Sequence, residues 1–165
     1  MEFLKVDGKI KPGKLALSIM VPLVGGSLSG AFANSNTKEE YADLKRPSFS
    51  PPPWIFPVAW TALYASMGLA KYRAAEKAAL KNEAGKVLLP YNLQLGLNFL
   101  WSFLFFKWGL RGTALAEMVL MLATITWTAY VFYQYDQTAG TLMVPYIAWV
   151  MFAMGLNASI WKLNK

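Results

Sequence analysis

The chain has 165 residues, 56% of them hydrophobic and 15% charged, with a net charge of +7 and neither cysteine nor histidine. So apolar a chain has too little polar surface to clothe a soluble core of this length. The missing residue types exclude a disulfide framework and remove the commonest ligands of zinc and haem iron, so no metal and no cofactor is expected. The basic residues are spread over the ends and loops rather than gathered on one recognition element, which speaks against nucleic acid and for anionic lipid headgroups.

Five stretches, Leu15–Ala33, Trp54–Ala70, Leu88–Phe106, Thr113–Tyr135 and Thr141–Trp161, contain a single charge, Glu117. Each approaches the roughly 20 apolar residues with which a helix crosses ~30 Å of hydrocarbon. The expected fold class is an all-α integral membrane bundle of five transmembrane helices, a single membrane domain over residues 1–165. Its helices are expected at about 15–33, 54–73, 88–106, 113–135 and 141–161, with a lid loop at 34–53. Nine Lys and Arg on one side against seven on the other leave the orientation open.

The first apolar run follows a basic arm, but it is 19 residues long and no Ala-x-Ala pattern follows it, so it reads as a retained helix. Gly26 and Gly30 form a Gly-x-x-x-Gly pair that permits close approach, either within the bundle or to a second subunit. The loop 34–53 ends in Arg46-Pro47-Ser48-Phe49-Ser50-Pro51-Pro52-Pro53-Trp54, where proline forbids helix. This run is expected to be stiff and extended across the mouth of the bundle; a plain spacer with Trp54 as interfacial anchor is the alternative. The Ala- and Lys/Glu-rich connection 71–86 lets the second helix continue into water before Pro90 resets the chain.

Helical spacing puts Trp60 and Tyr64 on one face of the second segment, and Gln94, Asn98, Trp101 and Phe105 on one face of the third. Amides are costly in lipid, so the second of these faces is expected to point inward, either bonding other helices or lining a cavity. By that reasoning Asn98→Leu should leave the bundle intact. The fourth segment aligns Thr113, Glu117, Leu120, Thr124 and Trp127, with Glu117 near the helix start, where it can reach water or pair with Arg111. The fifth offers Pro145, Trp149, Phe152, Ala153 and Leu156, with Asn157 beside them. Aromatic walls relieved by one small residue suit a flat hydrophobic ligand, although plain aromatic packing explains any one of them. No catalytic constellation appears: there are no paired intramembrane acids and no serine beside a base.

The run from Arg46 to Gly68, with Ile55-Phe56-Pro57-Val58-Ala59-Trp60 at its centre, resembles the signature of the translocator protein family, also called peripheral benzodiazepine receptors or tryptophan-rich sensory proteins. Leu97–Phe106 and Pro145–Asn157 are similar to that family's third and fifth helices, and the likeness spans about Pro22 to Lys162. Phe49 stands where the family usually has Trp, and Leu156–Lys162 lacks the tyrosine of its proposed sterol motif.

The resemblance implies a five-helix bundle that binds porphyrins, sterols and benzodiazepine-type ligands in a pocket closed by the first loop. It implies pocket positions at Tyr41, Trp60, Asn98, Trp101, Ala116, Leu120, Trp149, Phe152, Ala153 and Leu156. It also implies a homodimer in a bacterial cell membrane or the outer mitochondrial membrane. The expected function is a membrane receptor or carrier for protoporphyrin IX and related hydrophobic molecules, in tetrapyrrole transport or stress sensing. The alternative is an enzyme promoting light-dependent protoporphyrin breakdown through Trp60 and Trp101.

Overall fold

The computed structural model describes residues 2–35 and 42–165. Among the described residues five long helices form: α1 Pro12–Asn34, α2 Ile55–Ala79, α3 Ala84–Ser102, α4 Arg111–Tyr135 and α5 Gln137–Leu163. A π-helical turn, Phe103–Lys107, ends α3, and Met143 divides α5 into Gln137–Leu142 and Val144–Leu163. This is the five-helix membrane bundle the apolar lengths predict. α1, α4 and α5 are long and apolar enough by themselves to cross a membrane. Their outer faces expose Leu17, Phe32, Val119 and Met151, which water would penalise and lipid does not.

Several helix boundaries differ from the expected ones. α1 begins at Pro12 because proline at the first helical position gives up an amide hydrogen that has no partner there anyway. α2 runs past residue 73 to Ala79 through the helix-favouring alanines 74, 75, 78 and 79. It closes where the Glu83 N–H returns to the Ala78 carbonyl at 2.9 Å and Asn82 takes a φ of 58°. α3 starts at Ala84 and runs through Pro90 rather than being reset by it, although an interior proline gives up the backbone bond to Lys86. α5 starts at Gln137 because the Asp136 carboxylate accepts the Ala139 N–H at 2.9 Å as an N-cap.

α1 and α2 approach closely at Gly68, where a Cβ would land on the backbone of Ser18 and Ile19. The end of the bundle beyond that contact is tied by charge. Arg73 and Lys77 both hold Asp136, at 2.9 and 2.8 Å, and Lys11 and Lys14 hold Glu76. The Arg73 guanidinium also donates to the Phe3 carbonyl, and the Lys11 N–H to the Tyr72 hydroxyl, so the N-terminal arm is strapped over this end. Burial alone would raise the Asp136 carboxyl, but Lys77, Arg73 and the Ala139 amide together outweigh it and hold the carboxyl below the usual range.

The inward face of α4 is Ala114, Met118, Met121, Ile125, Thr128, Ala129 and Phe132, not the side carrying Thr113, Leu120 and Trp127. Polar side chains did not mark the interior here because the threonines satisfy themselves. The Thr124 hydroxyl donates to the Met121 carbonyl at 2.8 Å, Thr126 to Leu122 and Thr128 to Thr124. A threonine bonded to its own helix can face lipid without an orphaned hydroxyl.

Candidate functional site

Between the helices, in the half of the bundle away from the charged end, lies a cavity of about 390 Å³, within the range of small-molecule sites. α2 contributes Trp60, whose ring stacks on Tyr64 at 5.3 Å and meets Trp149 of α5 edge-on at 6.4 Å. α3 contributes Asn98 and Trp101, and α5 adds Trp149, Ala153 and Leu156. These six expected positions are brought together on one cavity. Phe152 stands beside it, between Trp149 at 5.6 Å and Phe49 of the first loop at 6.4 Å.

Ala116 and Leu120 do not join them. Both are exposed on the outer face of α4, Leu120 by 57%, because the cavity is met instead by Met118 and Met121. Tyr41 lies outside the described residues. Sequence reasoning missed Met118, Met121 and Tyr146; the first two carry an i, i+3 signal that the neighbouring Glu117 overshadowed.

Hydrogen bonding divides the polar groups into engaged and free. Asn98 is engaged on both sides: the Tyr64 hydroxyl donates to its Oδ1 at 2.7 Å and its Nδ2 donates to the Tyr146 hydroxyl at 2.9 Å. Trp101 Nε1–H donates to Asn157 Oδ1 at 3.2 Å, and Asn157 Nδ2 donates to the Arg111 carbonyl at 2.9 Å, which fastens α3 to α5 and to the start of α4. Among the described residues, Trp149 Nε1 is buried without a partner, as is the whole Gln94 amide. Glu117 makes no pair with Arg111; both its carboxylate oxygens are buried and unbonded.

The first loop closes over the cavity's outer end. Arg46 and Pro53 line the cavity, and Phe49 meets Phe152. The Lys45 backbone is clasped by the Asn164 side chain at the end of α5, at 3.0 and 2.9 Å. A turn, with the Ser50 N–H on the Pro47 carbonyl, bends the proline run that is expected from sequence to be stiff and extended. Gly26 settles the small-residue pair at one of its two positions: a Cβ there would fall on the Tyr64 ring, so its approach is within the chain.

This arrangement can hold a flat apolar molecule between indole and phenyl faces, and Trp149, whose buried N–H has no partner among the described residues, stands in its wall.

Residues 18–162 match the model of the TspO/MBR family. The chain is 40% identical to the tryptophan-rich sensory protein of Cereibacter sphaeroides over 126 residues, covering 76% of this chain and 77% of the relative. It is 35% identical to the tryptophan-rich protein TspO of Archaeoglobus fulgidus, covering 92% and 97%, and 37% identical to the translocator protein of Sus scrofa, covering 88% and 87%. The chain belongs to the TspO/MBR family and is an integral membrane protein.

Proposed function

We propose that this member of the TspO/MBR family is a membrane receptor or carrier that binds porphyrins, protoporphyrin IX first, in the cavity among its five helices. The carrying observation is that Trp60, Trp101 and Trp149 converge on one cavity, with the Trp149 N–H buried without a partner among the described residues. A planar aromatic macrocycle gains stacking from such walls. Trp60, Asn98, Trp101, Trp149, Ala153 and Leu156 form the proposed contact surface, with Phe152 supporting it and the first loop acting as lid. The names of relatives from bacteria, archaea and mammals, sensory protein and translocator protein among them, support sensing or transport as the role. The working unit is proposed to be a homodimer.

Three indoles around one cavity also favour a second reading, light-dependent breakdown of the bound porphyrin. One experiment separates the two. Protoporphyrin IX titrated into the protein in the dark should quench tryptophan fluorescence saturably at one site; absence of quenching would sink the binding reading. Illumination with oxygen should then bleach bound and free porphyrin alike. Turnover to a defined product above the free-porphyrin rate, lost in Trp60→Phe, would establish the enzyme instead.

A further inference from the structure

α1 and α2 are pressed together at one end and parted at the other. Gly68 lies on the Ser18 backbone and Gly26 on the Tyr64 ring, but one turn further along α1 nothing among the described residues stands within 4 Å of where a Gly30 Cβ would be. At this level Ser27, Gly30 and Ala31 of α1 and Pro57 and Thr61 of α2 all border the cavity. Ser27, Ala31, Pro57 and Thr61 are at the same time exposed on the outer surface. Residues that line an internal cavity and also face outward mark an opening. On its other side α1 is closed against α3, with Ser29 Oγ donating to the Phe99 carbonyl at 3.0 Å and Gly25 against the Phe99 ring.

The opening faces hydrocarbon, not water. Its neighbours Leu28 and Phe32 on α1 and Val58 on α2 are exposed by 51%, 62% and 61%, the surface of a helix turned to acyl chains. On the α2 side of its rim the Thr61 hydroxyl is spent on the Pro57 carbonyl of its own helix at 2.8 Å, which lowers the polar barrier there. The water-facing end of the cavity, by contrast, is covered by the loop clasped to Asn164.

We propose that the gap between α1 and α2 is a lateral entrance through which ligand passes directly between the bilayer and the cavity, its width set by Gly30 and Thr61. The inference rests on the binding reading above and narrows the ligand class. The protein takes molecules that partition into lipid and are thin enough to pass edge-on between two helices, and it collects them from the membrane rather than from water. The lid then governs the aqueous end alone.

The chain has no cysteine, so a Gly30→Cys, Thr61→Cys double variant in lipid nanodiscs can be bridged by a short cross-linker with a cleavable disulfide. Protoporphyrin IX is the probe, and dark quenching of tryptophan fluorescence is read by stopped flow. Bridging before addition should slow association at least about tenfold, and bridging after loading should slow dissociation comparably. Cleaving the linker should restore both rates. A single Gly30→Phe substitution, for which there is room, should lower both rates in the same direction. Unchanged rates in the bridged protein, or slowing that cleavage does not reverse, overturn the entrance. Wild-type protein that shows no quenching even at equilibrium refutes the porphyrin reading instead, and the entrance proposal falls with it.

Discussion

The Tyr64 hydroxyl donates to Asn98 Oδ1 at 2.7 Å across the α2–α3 contact, inside the bundle and away from lipid. Because Asn98 Nδ2 is taken up by Tyr146, this amide joins three helices, and its removal has a cost that its sequence setting did not announce. Asn98→Leu would orphan a buried donor and a buried acceptor, each worth about 1 kcal/mol in a membrane interior. The expectation that the substitution spares the bundle is therefore reversed. Asn98→Leu should lower the thermal midpoint in detergent, and adding Tyr64→Phe and Tyr146→Phe should recover part of the loss. A midpoint equal to wild type would show the three groups to be uncoupled.

Trp101 and Trp149 border the same cavity but should respond differently to loss of the indole N–H. Trp101→Phe leaves Asn157 Oδ1 without its donor, so it should cost about 1 kcal/mol of stability. Trp149→Phe breaks no bond among the described residues. It should leave the melting curve in place and weaken porphyrin binding about fivefold, the equivalent of one lost hydrogen bond. Parallel melting and quenching titrations on both variants check the contrast, and a reversed pattern would mean that Trp101 is the donor to ligand.

Asp136 should set an acid limit on stability. Its carboxyl is held below the ordinary range when folded, since Lys77, Arg73 and the Ala139 amide outweigh the effect of burial. Its stabilisation is thus present above the unfolded value near 4 and is lost as pH falls through the lower folded value. Wild-type protein should destabilise on acidification below about pH 4. Asp136→Asn keeps an N-cap acceptor for Ala139 but leaves Arg73 and Lys77 without their carboxylate. It should cost on the order of 3 kcal/mol at neutral pH and flatten the acid slope. Denaturant melts at pH 3 to 7 measure both.

Phe49 ties the lid to Phe152 beside the cavity, so the lid's effect on residence time is open to direct measurement. In protein whose α1–α2 gap is bridged, Phe49→Ala, which removes the edge contact with Phe152, should speed porphyrin dissociation about fivefold with little change in association, because a lid acts on escape through the end it covers. Unchanged dissociation would identify the proline run as a spacer.

Sequence alone determined the class of the fold, because lipid leaves few solutions. Uncharged runs long enough to cross hydrocarbon must satisfy their backbones internally, and helices do so. It also determined the inward face of α3, since the Gln94 and Asn98 amides cannot sit in acyl chains unpaired, and the aromatic face of α5. Only the tertiary structure decided which way α4 turns. Threonine hydroxyls bond to their own helix and so carry no information about direction, which is why Ala116 and Leu120 face outward while Met118 and Met121 meet the cavity. It likewise decided which of the cavity's polar groups are spent on neighbours and which are free, and where two helices part. Those are distances between residues remote in the chain, such as Tyr64 and Asn98 or Trp101 and Asn157, and helical periodicity fixes a side chain's direction about its own axis without naming what it will meet.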